Sequence, residues 1–391
     1  NIKYLSMKKY LYNCSNKLNI ISINMLKILN KYKNTNISNI SNVFNISNKI
    51  SCNKDLILYN RGYKDLSMPL NTGKKRLVIL GTGWSGARFA RDIDCINKYD
   101  ITIISSKNHM VFTPLLASSC VGTIHSQSVI ENIRHLQPAL KYPQNHFYLA
   151  NAEKIDYENN IIECSTNNNN KFKIEFDKLI IATGGEPETF NIPGVEKYTY
   201  FLKNINDSIA IRKKFLENIC LAGIPNIKIN ERNKLLHFVI VGGGPTGVEL
   251  ASEICNFYNE DMVLYNPRIR TSAKITLIEG NEVLNNFDKS LSFYAINKLI
   301  EGGVYIKKAQ VSKVNKDTIE LNDGSIIEYG ICVWSTGIKP GNFIQSLNFK
   351  KGKNGRILVD DLLRVYNNDS TIINNIFALG DCSINENNPL P

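Results

Sequence analysis

Two stretches of the chain share one pattern: a short apolar strand runs into a glycine-rich turn, and the turn opens a helix. In the first, Arg76-Leu77-Val78-Ile79-Leu80 enters Gly81-Thr82-Gly83-Trp84-Ser85-Gly86, followed by a helix from Ala87 to about Ile96 and a strand at Ile101–Ile104. In the second, Leu236–Val241 enters Gly242-Gly243-Gly244-Pro245-Thr246-Gly247, followed by a helix from about Val248 to Tyr258 and a strand from Lys274 to Ile278 that ends in Glu279. Strand, G-x-G-x-x-G and helix together are the context a dinucleotide-binding fingerprint requires. Each copy also has the same tail. Alternation at Phe172–Phe176 leads to Leu179-Ile-Ile-Ala182-Thr183-Gly184, and a hairpin with an Asp323-Gly324 turn leads to Ile331-Cys-Val-Trp-Ser-Thr336-Gly337. The tail threonine lies 102 residues after Gly81 in one copy and 94 after Gly242 in the other. A repeat of that length is a domain, not a solenoid unit. The expected fold class is α/β, with two Rossmann-like dinucleotide-binding domains in series or nested.

The glycines carry the chemistry. A diphosphate needs backbone N–H groups and the positive end of a helix dipole close to it. Gly81 and Gly242 allow the tight turn, Gly83 and Gly244 let the backbone approach the phosphates, and Gly86 and Gly247 let the helix pack on the strand. Gly81, Gly83, Trp84, Ser85 and Gly86 of the first turn, Gly242 to Gly247 of the second, Ala182-Thr183-Gly184, Thr336-Gly337 and a terminal Gly380-Asp381 are candidate cofactor contacts. Glu279 is placed to accept both hydroxyls of an adenosine ribose and to repel a 2′-phosphate, which favours NAD(H) at the second site. It lies 37 residues after Gly242, so an inserted loop is expected around Asp261–Thr271. The first copy ends its second strand in Ser105-Ser106-Lys107, where serine hydroxyls replace the acid. Two such sites in one chain point to an electron relay, with FAD at the first and NADH at the second.

The 391 residues suggest two or three domains at roughly 150 residues each. No apolar run reaches the roughly 18 residues of a spanning helix. Residues 1–54 hold nine lysines and no acid, so they carry +9 of the net +12. With no basic folded face, nucleic acid is not an expected partner. The acid-poor, Asn/Ser/Lys-rich leader reads as a transit peptide, mitochondrial first, although its positive residues are never arginine. The nine cysteines form no CxxC pair, which argues against zinc ribbons and thioredoxin-like chemistry, and no metal site is expected.

Taken as a set, Phe112-Thr113-Pro114-Leu-Leu116, Ala182-Thr-Gly-Gly-Glu-Pro187 with Phe190-Asn-Ile-Pro-Gly-Val195, Val241-Gly-Gly-Gly-Pro-Thr-Gly-Val-Glu249-Leu-Ala251 and Ala378-Leu-Gly-Asp-Cys382 resemble the type II NADH:quinone oxidoreductases, or alternative NADH dehydrogenases. These belong to the two-dinucleotide-binding-domain flavoproteins of glutathione-reductase type. The resemblance covers about residues 74–391. It implies an NADH domain (200–345) inserted into an FAD domain (73–199 and 346–391), after a leader (1–72). It also implies hydride transfer from NADH to FAD, then reduction of ubiquinone without proton pumping. Glu249 matches a position beside the nicotinamide, where the helix start is expected to keep it ionised. Thr113 and Pro114 are implied to approach the flavin ring. Gly380-Asp381 is implied to bind the ribitol and phosphate end of FAD. The enzyme is expected on the mitochondrial inner membrane as a peripheral protein, and a homodimer is left open. The resemblance further implies that the chain stops before the family's quinone-site helix and membrane-docking segment.

Four rivals stand beside this reading. A disulfide reductase needs two nearby cysteines, which Cys95 and Cys120 do not provide. A sulfide:quinone oxidoreductase would use distant cysteines such as Cys120 and Cys332. A ferredoxin-type reductase would need a stronger basic docking field than the +3 outside the leader. A slow flavin- and NADH-binding interaction protein is the fourth.

Overall fold

The structure, a computed structural model, describes residues 72–93 and 98–387. The transit-peptide reading and Cys95 lie outside the described residues.

The strand Lys75–Leu80 sits inside a six-stranded sheet, in the order Arg364–Tyr366, Ile372–Ala378, Lys178–Ile181, Lys75–Leu80, Tyr99–Ser105, His146–Leu149. All neighbours run parallel except the first pair. A parallel sheet is covered on both faces, which explains the unbroken apolar run Leu77–Leu80. Side chains alternate across the sheet. Leu77 and Ile79 pack with Ala87 and Ala90 of the helix Trp84–Asp92. Val78 and Leu80 pack on the other side with Ile155, Ile162 and Cys164 of a three-stranded antiparallel sheet.

The second half repeats this plan. A parallel sheet orders Tyr200–Phe201, Ile331–Trp334, His237–Val241, Lys274–Glu279 and Val304–Lys308. Phe238 and Ile240 face the helices Ile205–Ala222 and Pro245–Asn256, while Val239 and Val241 pack with Ile319 and Leu321 of a second three-stranded sheet. The repeat expected from the two glycine turns is therefore present in three dimensions, down to the antiparallel sheet that precedes each tail.

Three expectations differ from the structure. The first helix starts at Trp84 instead of Ala87, and it ends at Asp92 instead of about Ile96, because Ile93 turns extended. The second starts at Pro245 instead of Val248. Proline at the first helical position is pre-set for the helix and lacks only an N–H that would have no partner there. The stretch expected as a loop around Asp261–Thr271 is helical: a π-turn at Phe257–Asp261 is followed by the short helices Met262–Tyr265 and Pro267–Arg270. Its apolar residues explain this. Tyr258, Met262 and Ile269 are buried in the core, and the Tyr258 hydroxyl donates to the Leu236 carbonyl at 3.0 Å.

Candidate functional site

At the first glycine turn, Gly81 has φ +102°, and a Cβ there would lie 2.3 Å from the Ala182 carbonyl oxygen. A Cβ at Gly86 would lie 2.2 Å from the Gly81 carbonyl oxygen. Gly83 differs: a Cβ built there meets no atom within 4 Å. The turn is sealed at its first and third glycines and open at its second. Gly83 is the N-cap of Trp84–Asp92, and neither a side-chain cap nor an acid occupies that helix's first turn. The second turn repeats the arrangement. Gly242 has φ +111° and backs onto Ser335 and Thr336, Gly247 backs onto the Gly242 carbonyl at 1.9 Å, and Gly244 opens onto nothing within 4 Å. Gly244 caps Pro245–Asn256, again with no side-chain cap and no acid in the first turn. The uncapped N–H groups and open middle glycines form two cradles that fit an anionic diphosphate. The tails sit where the repeat places them, Ala182 against Gly81 and Thr336 against Gly242.

The strand ends beside each cradle differ. In the second half, Glu279 Oε2 accepts from the Gly243 N–H at 2.6 Å, and Oε1 accepts from the Asn281 N–H at 2.7 Å. In the first half, the Thr82 hydroxyl lies 3.0 Å from Ser105 Oγ and donates to the Lys107 carbonyl at 2.9 Å, which ties the Ser105-Ser106-Lys107 corner to the turn. Ser106 and Lys107 are exposed.

Gly380-Asp381 reaches the same cradle from the end of Ile372–Ala378, two strands along the sheet from Lys75–Leu80. A Cβ at Gly380, whose φ is +77°, would lie 2.6 Å from Ser85 Oγ, so this turn sits on the start of the first helix. Beside it, Glu186–Pro187 pairs with Ile338–Lys339 and straps the two halves together.

Thr113 and Pro114 form a single 3₁₀ turn, Thr113–Leu115. The Trp84 indole donates to Thr113 Oγ1 at 3.0 Å, and its ring lies 5.2 Å from that of Phe112. The turn is thereby fixed beside the first cradle. The helix Leu116–Val121 then runs into the second half, where Ser118 Oγ donates to Glu253 Oε1 at 2.7 Å and Thr123 Oγ1 to Oε2 at 3.3 Å. Glu249 stands one turn before Glu253 on the same helix. The turn Thr113–Leu115 thus leads directly into the helix whose Ser118 holds Glu253, one helical turn after Glu249.

Beside the helix start that was expected to keep Glu249 ionised, the structure sets an opposing influence on its carboxyl. Although part of its side chain meets solvent, crowding by neighbouring protein pushes its carboxyl above the usual glutamate range, and the charge of Glu253 adds to this. The group is five residues into the helix, past the turn where the dipole acts most strongly.

Cys120 and Cys332 are buried and free, and burial pushes both thiols well above the usual range. A thiol relay needs thiolates, so these cysteines do not fit one.

Sequence reasoning did not single out Lys203, Glu253 or Ser118. Nothing in their local pattern marks them, because each acquires its surroundings only when the halves meet.

A family profile for pyridine nucleotide-disulphide oxidoreductases matches residues 75–389. The chain belongs to this family. Within it, the chain is 43% identical over 318 residues to the internal alternative NAD(P)H-ubiquinone oxidoreductase A1, mitochondrial, of Solanum tuberosum, an alignment covering 79% of this chain and 63% of that protein. It is 38% identical to a probable NADH dehydrogenase of Dictyostelium discoideum, covering 81% of this chain and 69% of that one. The solved structure of NDH2 from Plasmodium falciparum in complex with NADH superposes with a TM-score of 0.75 at 35% identity, covering 80% of this chain and 65% of that one. The chain therefore spans about two thirds of the length of these relatives. A sulfide:quinone oxidoreductase from Aquifex aeolicus shares the fold, at 20% identity and a TM-score of 0.60.

Proposed function

We propose that this member of the family is an NADH:ubiquinone oxidoreductase of type II, with FAD at the first cradle and NADH at the second. The carrying observation is the duplicated cradle: in both glycine turns the outer glycines are closed by backbone, while the middle one opens onto free space at an uncapped helix start. The names of the relatives and the NADH complex of the Plasmodium structure support the same assignment.

In this reading, residues 73–199 and 346–391 form the FAD domain and 200–345 the inserted NADH domain. The return of Ile372–Ala378 to the sheet of Lys75–Leu80 supports that division. A mitochondrial, peripheral inner-membrane location is part of the proposal. It is supported by the mitochondrial relatives and by the lysine-rich leader.

When bound, the two cofactors supply hydride transfer from nicotinamide to flavin and onward electron transfer to a quinone. The chain's contribution is positioning and electrostatics. The helix start at Gly83 and the amides of Trp84 and Ser85 bind one diphosphate. Gly380-Asp381 presents a carboxylate to sugar hydroxyls beside it. The helix start at Gly244 binds the other diphosphate, and Glu279 receives ribose hydroxyls there. Ser118 and Thr123 of the first half grip Glu253 of the second, which ties the helix after Thr113-Pro114 to the helix that carries Glu249. Net NADH oxidation by a quinone takes up one proton, and the raised carboxyl of Glu249 is suited to hold it.

The test is a spectrum of the purified full chain. Flavin absorbance that NADH bleaches, and that a soluble ubiquinone analogue restores without oxygen, is the expected result. A protein that carries flavin but is not bleached by NADH would sink the reading.

A further inference from the structure

Two short segments meet where the halves join. Glu186–Pro187 of the first half pairs antiparallel with Ile338–Lys339 of the second. The approach is close on both sides. A Cβ on Gly185 would lie 2.5 Å from Ile338 Cγ2, and a Cβ on Gly337 would lie 2.7 Å from Glu188 Cβ and 2.9 Å from Phe190 Cζ. Glu188 locks the crossing. Its N–H donates to the Gly337 carbonyl at 3.2 Å, and its carbonyl accepts from the Trp334 indole at 2.9 Å. Its carboxylate lies 3.5 Å from Lys339 Nζ and accepts from the Phe190 N–H at 2.8 Å.

Phe190 does not fit a purely structural account of this crossing. Phe190 and Asn191 have φ of +53° and +55°, two consecutive residues in the left-handed region. A side chain with a Cβ is disfavoured there, a bulky ring more than an asparagine. Burial of the ring does not compensate, since the residue is 56% exposed. The backbone is held by Glu188 instead, and the tip of the ring is laid on Gly337. An unfavourable backbone kept without a packing return is characteristic of functional sites.

The crossing also touches both cradles. Gly337 follows Thr336, and a Cβ on Gly242 of the second turn would lie 2.9 Å from Thr336 Cβ. On the other side, a Cβ on Gly185 would lie 3.5 Å from Asp381 Cβ, next to the Gly380 that rests on Ser85 at the first helix start. A shift at Phe190 is therefore passed through Gly337 and Thr336 to the second turn, while Gly185 keeps the same crossing against the first.

We propose that Phe190 is a positioning residue for hydride transfer: its ring, laid on Gly337 and pinned by Glu188, fixes the Thr336-Gly337 tail and with it the placement of the second cradle against the first. The inference rests on the reading that the two cradles hold FAD and NADH.

The experiment mixes NADH anaerobically with the oxidised, flavin-loaded full chain in a stopped-flow instrument. It records the rate of flavin bleaching at saturating NADH and the long-wavelength charge-transfer absorbance of stacked nicotinamide and flavin. Flavin content and thermal melting are measured beside them. Phe190→Gly removes the ring and suits the left-handed backbone, so it should keep its flavin and melt close to the wild-type temperature. Its bleaching should slow roughly 10- to 100-fold, with a weaker charge-transfer band, because a small misplacement of reacting groups has an effect of that size. Phe190→Tyr should restore both. Should Phe190→Gly fold poorly, Phe190→Asn, which also accepts this backbone, carries the same comparison. Wild type that NADH does not bleach defeats the proposed function itself. Wild type that is bleached while the ring-less variant is bleached as fast overturns the role of Phe190. Rates that fall only in step with flavin content or melting temperature overturn it too, because the ring would then serve the fold alone.

Discussion

The Glu279 carboxylate accepts a hydrogen bond from the Gly243 N–H at 2.6 Å, so the acid that closes the second strand is anchored to the turn that opens the second helix. One oxygen of a ribose-reading group is thereby fixed on the phosphate-binding loop, and the geometry of the two subsites is coupled. The other oxygen holds the Asn281 N–H at 2.7 Å, so the carboxylate has no freedom to swing away from an incoming 2′-phosphate.

Glu279→Gln should therefore narrow the preference for NADH over NADPH. Replacing the charge with an amide removes repulsion of the 2′-phosphate and weakens acceptance from the ribose hydroxyls. A change of roughly tenfold in the ratio of kcat/KM values corresponds to about 1.4 kcal/mol, the size of one charged hydrogen bond. Steady-state kinetics with both nucleotides measures it. An unchanged ratio removes Glu279 from specificity.

The two kinds of glycine should fail differently. Gly83→Val places a side chain in space that is open in the protein and reserved for the phosphates. The variant should fold, with an unchanged far-ultraviolet spectrum and normal NADH binding, yet purify without flavin. Gly81→Val puts a Cβ 2.3 Å from the Ala182 carbonyl oxygen at φ +102°, so it should lose the fold, by several kcal/mol, as well as the cofactor. Flavin content and thermal melting of the pair separate the two outcomes. Gly83→Val that keeps its flavin would show that the first turn is not the phosphate cradle.

Glu249 supplies a pH test. Its carboxyl is pushed above the ordinary range, first by crowding and then by Glu253. A carboxyl raised in the folded state binds more protons folded than unfolded, so its contribution to stability is present at acid pH and is lost as pH rises through the window above the usual glutamate value. Glu249→Gln should consequently melt at or above the wild-type temperature at neutral pH, with the gap closing toward pH 4. Glu253→Gln should lower the apparent pKa of Glu249 and move the alkaline limb of the kcat/KM profile to lower pH. If the limb stays in place in Glu253→Gln, the coupling between the two carboxyls is refuted.

Much of this architecture was legible in the chain because it is local. The turn glycines, the strand before each and the helix after each are contiguous, and the acid at Glu279 follows its strand directly. The π-turn at Phe257–Asp261 and the helices after it were not legible. The long spacing from Gly242 to Glu279 read as an inserted loop, whereas burial of Tyr258, Met262 and Ile269 against the core holds the segment helical. The raised carboxyl of Glu249 was hidden for a related reason. A helix start is visible in sequence, but Glu253 and the Ser118 helix that crowd the site come together only through tertiary packing. Lys203 is the extreme case, since burial lowers its pKa and the charges that act on it belong to residues as distant in sequence as Asp381, Lys107 and Glu186.

A last prediction concerns His237 at the start of the central strand of the second sheet. The residue is 6% exposed, with Nδ1 2.6 Å from the Glu328 carbonyl oxygen and Nε2 2.7 Å from Thr276 Oγ1. Burial, reinforced by Lys274, lowers its pKa to about 4, while the Glu328 carbonyl acts weakly in the opposite sense. A histidine depressed in the folded state binds fewer protons folded than unfolded. Its neutral form thus contributes full stability above the unfolded value of roughly 6.5, and that stability is lost as pH falls toward the folded value. Integrated over this window, the loss is on the order of 2–3 kcal/mol. His237→Gln keeps a polar side chain at the site but does not titrate. Its urea-unfolding free energy should start lower at pH 7, where a hydrogen bond is given up, and should depend less on pH between about 6.5 and 4. Parallel pH dependences for wild type and variant would mean that His237 is protonated in the folded sheet without penalty, contrary to its burial.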